Sequence, residues 1–331
     1  MRLIVAALAC LLALPPASAS NPGSARLDPI ASILERPDGQ IDLLEAKLAI
    51  DRLISPEIDA EAVRLQIDAL VTSVKGRIPA GASNLAKLNV LLSTLYEPGP
   101  WNGGRPFQYD LDDPLGRNLQ NKLLSVYLTT RKGNCVSMPI LFAIVGQRLG
   151  LPVTLATAPS HVLVKFRGDD GAWLNVEATA GGFKYDSSYE RETGISPRAI
   201  ETGIYLRPLS RRESVTVMMS SLMEHYGKAG LHAQRIAAAD LALKVDPRDV
   251  VAMQHKGAAY YLMFQEKFVS RYPDPNQIPA DQRAEFFSIS QENLRWYAEA
   301  ERLGWTPPSE EQEARYLESI RREKESREAR R

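Results

Sequence analysis

One stretch of the chain decides the fold: residues 133–179, GNCVSMPILFAIVGQRLGLPVTLATAPSHVLVKFRGDDGAWLNVEAT. Apolar residues spaced through 140–149 predict a buried helix, and Gly150 is a residue type that commonly ends helices. Three segments then show strand signals, and a Gly/Asp-rich turn separates the last two: residues 153–157, 161–166 and 172–179, with the turn at 168–171. A buried helix followed by a small antiparallel sheet predicts an α+β core.

The N-terminal residues have the layout of a secretory signal peptide: Arg2, an apolar run over residues 3–14, Pro15-Pro16 and then Ala17-Ser18-Ala19. We expect cleavage near Ala19 and a periplasmic or secreted protein. Lipid attachment at Cys10 is a weaker alternative, because the apolar region that precedes it is short. No later segment has the roughly 18 consecutive apolar residues of a membrane helix, so we expect no membrane span.

The charge balance bears on partners and cofactors. Lys and Arg number 40, and so do Asp and Glu, so no general basic field attracts phosphates and we expect no nucleic-acid partner. The four histidines lack metal-motif spacing, and a single cysteine remains after signal removal, so we expect no metal site. We also expect no cofactor, since no glycine-rich phosphate loop precedes a helix.

That remaining cysteine, Cys135, has two interpretations. A lone thiol in an oxidising compartment is either a small, inert core residue or a reactive group. Reactivity requires the thiolate, which a helix N-terminus or a nearby base favours. Asn134 is a candidate cap for the helix that follows, so the unpaired N–H groups of the first turn would face Cys135. Pro139 predicts an irregular first turn.

His161 is the candidate base, although a histidine at the start of a strand is commonly structural. Glu177, on the next strand, is a candidate partner for the imidazole N–H. Their relation depends on strand register, because a four-residue loop pairs Val162 with Glu177 and sends His161 to the opposite face. We predict the odd register, which puts His161, Glu177 and Asn175 on one face.

Three motifs together resemble the core of the transglutaminase-like superfamily: Arg131-Lys132-Gly133-Asn134-Cys135 before a helix, His161-Val162-Leu163-Val164, and Trp173-Leu174-Asn175-Val176-Glu177-Ala178-Thr179. In that superfamily a Cys opens a helix, a His begins a strand and Asp-Pro-Thr ends the next strand. Glu177-Ala178-Thr179 stands in the place of Asp-Pro-Thr here, so the third member is a glutamate with a longer arm.

The resemblance extends upstream to a bacterial branch known as invasion-gene regulators, and it covers roughly residues 40–260. Weaker upstream similarities carry this extension: Ile41-Asp42, a helix over residues 59–68, Phe107-Gln108-Tyr109 and Leu119-Gln120-Asn121. Members of that branch also have a repeat-type helical tail. Many of them have Pro where this chain has Cys135, so retention of the thiol favours an enzyme.

The resemblance implies a papain-type, thiol-dependent acyl-transfer enzyme that hydrolyses or transfers peptide or isopeptide amides through a Cys135 thioester. His161 and Glu177 complete its catalytic set. The first oxyanion candidate is the Cys135 backbone N–H, and Gln120 or Asn121 is a second. Two alternatives stay open. One is an inactive scaffold that binds a protein partner through its tail, and the other is a redox-sensitive thiol protein. The sequence does not identify the substrate, the oligomeric state or a need for an activating partner.

The chain divides into four predicted parts: signal peptide 1–19, transglutaminase-like domain with a helical N-terminal part 20–210, tetratricopeptide-like helical repeats 211–308 and charged tail 309–331. Helical periodicity predicts helices over residues 41–54, 60–74, 85–96 and 118–129, with an aromatic-anchored loop over 97–115. The repeat prediction rests on spacing in and after the first helix pair: Leu222, Tyr226, Ala239, Ala242, Pro247, Gly257 and Tyr260. The tail, in which acidic and basic residues are equal in number, predicts a solvated helix or a frayed end.

Overall fold

The structure is a computed structural model and describes residues 27–329. The predicted signal peptide lies outside these residues. The helices are α1 Asp28–Leu34, α2 Leu43–Ile54, α3 Ala60–Arg77, α4 Asn84–Tyr96, α5 Leu124–Thr130, α6 Ser137–Arg148, α7 Asp186–Thr193, α8 Pro197–Thr202, α9 Arg211–Lys228, α10 His232–Val245, α11 Val250–Phe264, α12 Arg283–Arg302 and α13 Glu310–Ala329. The strands are β1 Gln108–Tyr109, β2 Lys132–Gly133, β3 Val153–Ala158, β4 His161–Arg167, β5 Trp173–Glu177 and β6 Gly182–Lys184.

The three predicted N-terminal helices are confirmed as α2, α3 and α4. Each begins at a side chain that accepts hydrogen bonds from the first turn: Asp42 for α2, Asp59 for α3 and Ser83 for α4. These caps satisfy N–H groups that have no partner inside the helix.

The single helix predicted over residues 118–129 is wrong. The chain instead forms a short 3-10 turn, Leu119–Lys122, and then α5. Leu123 between them is extended, with φ −80° and ψ 133°, and the Leu124 N–H donates to the Asp51 carboxylate at 2.9 Å. The helix is thus interrupted where the Leu124 N–H bonds to a buried carboxylate that is distant in the sequence. The local spacing of apolar residues does not predict this hydrogen bond.

Helix α6 is the central element of the core. Its residues from Ser137 to Gly146 are all buried, and it contacts α2, α3 and α5 as well as β3 and β4. A helix that is covered on all sides is expected to be apolar all round rather than amphipathic, as this one is. Pro139 lies in the first turn, where a missing N–H removes no helical bond, so the proline fits without a break.

The main sheet is antiparallel, with strand order β3-β4-β5-β6. Between β4 and β5 the pairs run from Val164 with Val176 to Arg167 with Trp173, which leaves a five-residue loop at 168–172. The odd register is therefore confirmed, and the odd-numbered side chains of the two strands share one face. A separate parallel pair, β1 with β2, ties the loop after α4 to the segment that leads into α6.

After the sheet the described chain is mostly helical, and α9 contacts α10, α10 contacts α11, and α11 contacts α12. Helix α9 also packs on α2, and buried residues of α9 and α10 belong to the same apolar cluster as α6. Helix α13 follows α12 and reaches back toward the β1–α5 loop. Within residues 27–329, no helix is both long and apolar enough to cross a membrane. The described part of the chain has the predicted α+β architecture, with helices predominating.

Candidate active site

Cys135 lies in the turn just before α6, and its side chain is partly exposed. Asn134 fixes this turn: its Oδ1 accepts hydrogen bonds from Val136 N–H at 3.0 Å and Ser137 N–H at 3.1 Å. In return, the Asn134 N–H donates to Ser137 Oγ at 3.1 Å. Asn134 is therefore the predicted cap, and two N–H groups of the first turn are engaged by its side chain.

His161 lies at the start of β4 and directs its Nε2 at Glu177 Oε2, 2.9 Å away. Burial lowers the pKa of His161, but interactions with the Cys135 thiol and with Glu177 outweigh burial and raise it well above its ordinary value. Because Nε2 is committed to Glu177, Nδ1 is the ring nitrogen left for the thiol. This order, thiol to imidazole to carboxylate, is the arrangement that activates a cysteine nucleophile.

Glu177 is buried and accepts hydrogen bonds from four groups. Besides His161, Tyr189 O–H donates to its Oε2 at 2.7 Å, and Thr179 donates to its Oε1 through Oγ1 at 2.6 Å and N–H at 3.2 Å. Burial raises the pKa of Glu177, yet the bonds from His161, Thr179 and Tyr189 hold it well below its usual range. The carboxylate is thus ionised and fixed in orientation. Sequence reasoning missed Tyr189, because it comes from α7 and carries no local motif.

The turn that delivers His161 has an unusual backbone. Only Pro159 and Ser160 lie between the paired residues Ala158 and His161, and Ser160 has φ 53°. Non-glycine residues rarely adopt this left-handed conformation, and such outliers concentrate at functional sites. The Ser160 carbonyl oxygen lies 3.7 Å from Cys135 Sγ and accepts a long hydrogen bond from the thiol. The strained turn therefore places both the imidazole and a carbonyl beside Cys135.

A substitution at this turn tests the strain. We expect Ser160→Val to lower the free energy of unfolding by about 1–2 kcal/mol, because a β-branched side chain fits the left-handed region poorly. Ser160→Asn is the matched control, since asparagine tolerates this conformation and should stay within ~0.5 kcal/mol of wild type. Urea unfolding measures both. Equal stability of the two variants would contradict a strained Ser160.

The amide side chains predicted to orient the site or bind an oxyanion make no hydrogen bond to Cys135, His161 or Glu177 within residues 27–329. Asn121 Nδ2 donates to Asp110 and to Asp113, each at 3.0 Å, which makes it part of a loop cluster. Gln120 is exposed and does not line the cleft at Cys135. Asn175 shares the face of Glu177, as predicted, but its Nδ2 donates to Asp186 at 2.6 Å. Their catalytic roles are not supported by these contacts.

The backbone N–H of Cys135 has a different status. Among the hydrogen bonds of residues 27–329, none is donated by this N–H. The two following N–H groups bond to Asn134, so the N–H of Cys135 is the donor of this turn left for a developing oxyanion.

A cleft of about 250 Å³ opens at Cys135 and His161 and continues toward the tail helices. Leu115 and Gly116, from the β1–α5 loop, form one edge of it. Helix α13 fastens that loop: Tyr316 O–H donates to Pro114 O at 2.9 Å, and Lys324 pairs with Asp112 at 2.8 Å. The described part of the predicted charged tail is thus helical over Glu310–Ala329 and contacts the rim of the site.

The Glu177 carboxylate is expected to matter for stability as well as orientation. We expect Glu177→Gln to lower the free energy of unfolding by about 1.5–3 kcal/mol, because a buried charge-assisted bond to His161 is lost. The lowered pKa of Glu177 makes its contribution present above the unfolded pKa, about 4.3, and lost as pH falls through the folded value. Because the pKa of His161 is raised, its contribution to the free energy of unfolding is fully present below about pH 6.5. This contribution is lost as the pH rises through the pKa of His161 in the folded state.

The difference in the free energy of unfolding between wild type and Glu177→Gln should therefore be largest at about pH 5–6.5 and become smaller above and below that range. Denaturant unfolding across pH measures it. Glu192→Gln is the control, because Glu192 is half exposed and pairs with Lys184 on the surface, where a pair contributes less than about 1 kcal/mol. A difference between wild type and Glu177→Gln that does not vary with pH would contradict the linkage.

With this geometry in hand, sequence comparison assigns the family. The model of the transglutaminase-like superfamily matches residues 61–226, half of the chain, and includes Cys135, His161 and Glu177. The chain belongs to the transglutaminase-like superfamily. The family match ends within α9, so α10 to α13 lie outside it.

Curated relatives are distant. A UPF0162 protein of Xylella fastidiosa is 24% identical over 229 residues, covering 67% of this chain and 78% of the relative. A UPF0162 protein of Buchnera aphidicola, BU173, is 25% identical over 230 residues, covering 67% of this chain and 80% of the relative. Human F-box only protein 21 is 25% identical over 173 residues, covering 45% of this chain and 26% of that protein. No solved structure matches. Transglutaminase-like membership thus rests on the family match and fits the observed core.

Proposed function

We propose that this chain is an exported, thiol-dependent acyl-transfer enzyme that hydrolyses or transfers peptide or isopeptide amides through a thioester on Cys135. One observation carries the proposal: His161 and Cys135 line the same cleft and interact, and the imidazole Nε2 is 2.9 Å from Glu177 Oε2. Membership of the transglutaminase-like superfamily supports it. Export rests on the signal-peptide layout of residues 1–19.

The chemistry follows from the roles of the three side chains. His161 takes the thiol proton, and the Cys135 thiolate adds to the amide carbonyl carbon. The oxyanion that forms faces the Cys135 N–H. The C–N bond then breaks as His161 returns the proton to the leaving nitrogen, which leaves an amine and a thioester. Water, deprotonated by His161, or a second amine attacks the thioester and restores the thiol. Glu177 stays ionised throughout and stabilises the imidazolium.

The direct test is capture of the acyl-enzyme. We expect p-nitrophenyl acetate at pH 7 to release one equivalent of nitrophenol in a burst and to acetylate Cys135, as seen by mass spectrometry. Cys135→Ser and His161→Ala should lack the burst, whereas His225→Ala, at a half-buried histidine on α9, should retain it. Acetylation at lysines alone, with no label on Cys135, would refute the proposal.

A second function has its own support, namely an inactive scaffold whose tail binds a protein partner. The tail carries large exposed apolar side chains on its outer helices, Tyr261 on α11 and Phe287 and Leu294 on α12. Contacts of α9 with α10, of α10 with α11 and of α11 with α12 support the proposal of tetratricopeptide-like repeats, which rests on the spacing and on the invasion-regulator resemblance. Under this function Cys135→Ser leaves partner binding intact, and no acyl-enzyme forms.

A further inference from the structure

The cleft does not end at the thiol. It extends from Cys135 and His161 to the tail helices, so that core and tail build its walls together. Helix α9 contributes Val217, and the first turn of α11 contributes Val250 and Val251. Val250 and Val251 lie outside the family match, which ends at residue 226, so part of the far wall comes from a helix that the match does not cover.

Most charged groups along this wall are paired with one another. Asp249 also lines the cleft, but it accepts the Ala252 N–H at 2.9 Å as the cap of α11 and forms no ion pair within residues 27–329. Lys122 forms a salt bridge with Glu224. Arg207 pairs with Glu213 at 2.9 Å and with Asp246 at 2.6 Å. Paired charges present little net field to a ligand, in contrast to a pocket that recognises a single ionic group.

One histidine of the cleft wall, His255, carries no charge near pH 7. His255 lines the cleft, and its Nδ1 accepts a hydrogen bond from Arg235 Nη2 at 2.7 Å. Burial, together with Arg235 and Lys122, lowers the pKa of His255 to about 3, so the ring is neutral near pH 7. The surface that remains is formed largely by aliphatic side chains: Leu209, Val217, Val250 and Val251, with Ile204 beside them.

We propose that this chamber, formed by the core with α9 and α11, is a specificity subsite that takes a bulky aliphatic or aromatic side chain of the substrate, next to the carbonyl that Cys135 attacks. The inference rests on the proposed function, because the chamber is continuous with the thiol. An apolar group entering it loses contact with water and gains the aliphatic wall, while an anionic group would lose hydration without an unpaired cation, since Lys122 and Arg248 are both in ion pairs. The enzyme therefore prefers peptides with apolar residues at the reacting amide.

The test uses thiol reagents that share one reactive group and differ only in the attached chain: iodoacetamide, N-(cyclohexylmethyl)iodoacetamide, N-(2-aminoethyl)iodoacetamide and N-(carboxymethyl)iodoacetamide. Each rate with Cys135, in full-length protein carrying Cys10→Ser, is divided by the rate with glutathione. We expect the cyclohexylmethyl reagent to exceed iodoacetamide by about 10-fold or more after this correction. Neither charged reagent should reach the rate of the cyclohexylmethyl reagent.

Val251→Trp fills the chamber and should reduce the cyclohexylmethyl preference, measured relative to iodoacetamide on the same variant, to within about 2-fold of unity. Val217→Thr has the same shape as the wild-type side chain and should reduce the preference in part, which covers the case that Val251→Trp fails to fold. Val269→Trp is the control, because Val269 is exposed on the tail and lies outside the cleft, and it should keep the full preference. Thermal unfolding verifies that each variant is folded.

Three outcomes would overturn the inference, and they separate it from the proposed function. If Cys135 reacts rapidly with iodoacetamide but shows no preference for the apolar reagent, the subsite proposal is refuted and the proposed enzymatic function is not. An apolar preference that survives in both Val251→Trp and Val217→Thr places the selectivity elsewhere. If iodoacetamide reacts with Cys135 no faster than with glutathione, the thiol is not activated, and both the proposed function and the subsite are refuted.

Discussion

We expect His161→Ala to slow alkylation of Cys135 by iodoacetamide at pH 6 by roughly 10-fold or more, the largest effect of a single side chain on this site. An ordinary thiol has a pKa near 8.5 and is almost wholly protonated at pH 6. In this protein His161 carries the positive charge at that pH, because its pKa is raised and Glu177 stabilises the charged ring. A cation beside a thiol favours the thiolate, so we expect removal of the ring to slow the reaction.

The measurement is the rate of carbamidomethylation from pH 5 to 9, in a Cys10→Ser background so that Cys135 is the only thiol. Wild type should react well below pH 8, and His161→Ala should follow the profile of a simple thiol. His225→Ala is the control, since His225 contacts Tyr226 on α9 and does not line the cleft. Superimposable profiles for wild type and His161→Ala would mean that the thiol and the imidazole do not act together.

The second large effect concerns a buried ion pair beneath the site. Lys47 Nζ lies 2.5 Å from Asp51 Oδ1 with both side chains fully buried, and it also donates to Lys122 O at 2.8 Å. Asp51 Oδ2 in turn accepts the Leu124 N–H. We expect Lys47→Met to lower the free energy of unfolding by about 3–5 kcal/mol, because Asp51 is left as an uncompensated buried charge.

Urea unfolding at pH 7 measures this cost. Arg64→Met removes the surface pair with Glu45, whose side chains are each 36% exposed, and should cost less than about 1 kcal/mol. Similar losses for the two variants would show that the Lys47–Asp51 pair is not desolvated. Lowering the pH toward 3 should reduce the difference in the free energy of unfolding between wild type and Lys47→Met. In the variant, protonation of Asp51 removes its unpaired charge.

The core of the site could be predicted from the sequence because its determinants are local or periodic. The Asn134 cap, the α6 helix and the alternating strands follow from short patterns. The shared face of His161 and Glu177 follows from parity once the register is chosen. Replacement of the expected Asp-Pro-Thr by Glu177-Ala178-Thr179 preserved a carboxylate, and the structure gives that carboxylate a direct bond to His161.

The features that sequence reasoning missed depend on contacts between distant segments. Tyr189 reaches Glu177 from α7, and Asp51 interrupts a predicted helix by bonding Leu124. The sequence makes Asn121 a candidate oxyanion donor, but its Nδ2 donates to Asp110 and Asp113 in the structure. A single sequence does not contain the distances that decide such pairings, since each polar side chain has several possible partners until the fold is known.

The loop between β4 and β5 has a consequence for how related proteins can differ in length. Its five residues, 168–172, set the parity that brings His161 and Glu177 to one side of the sheet. A deletion of one residue there, absorbed by a one-step shift of β5, turns Glu177 away from the imidazole, whereas a change of two residues restores the match. In related proteins that retain both the base and its carboxylate, insertions and deletions in this hairpin should therefore change its length by an even number of residues. This constraint on loop length does not depend on the amino-acid composition of the loop.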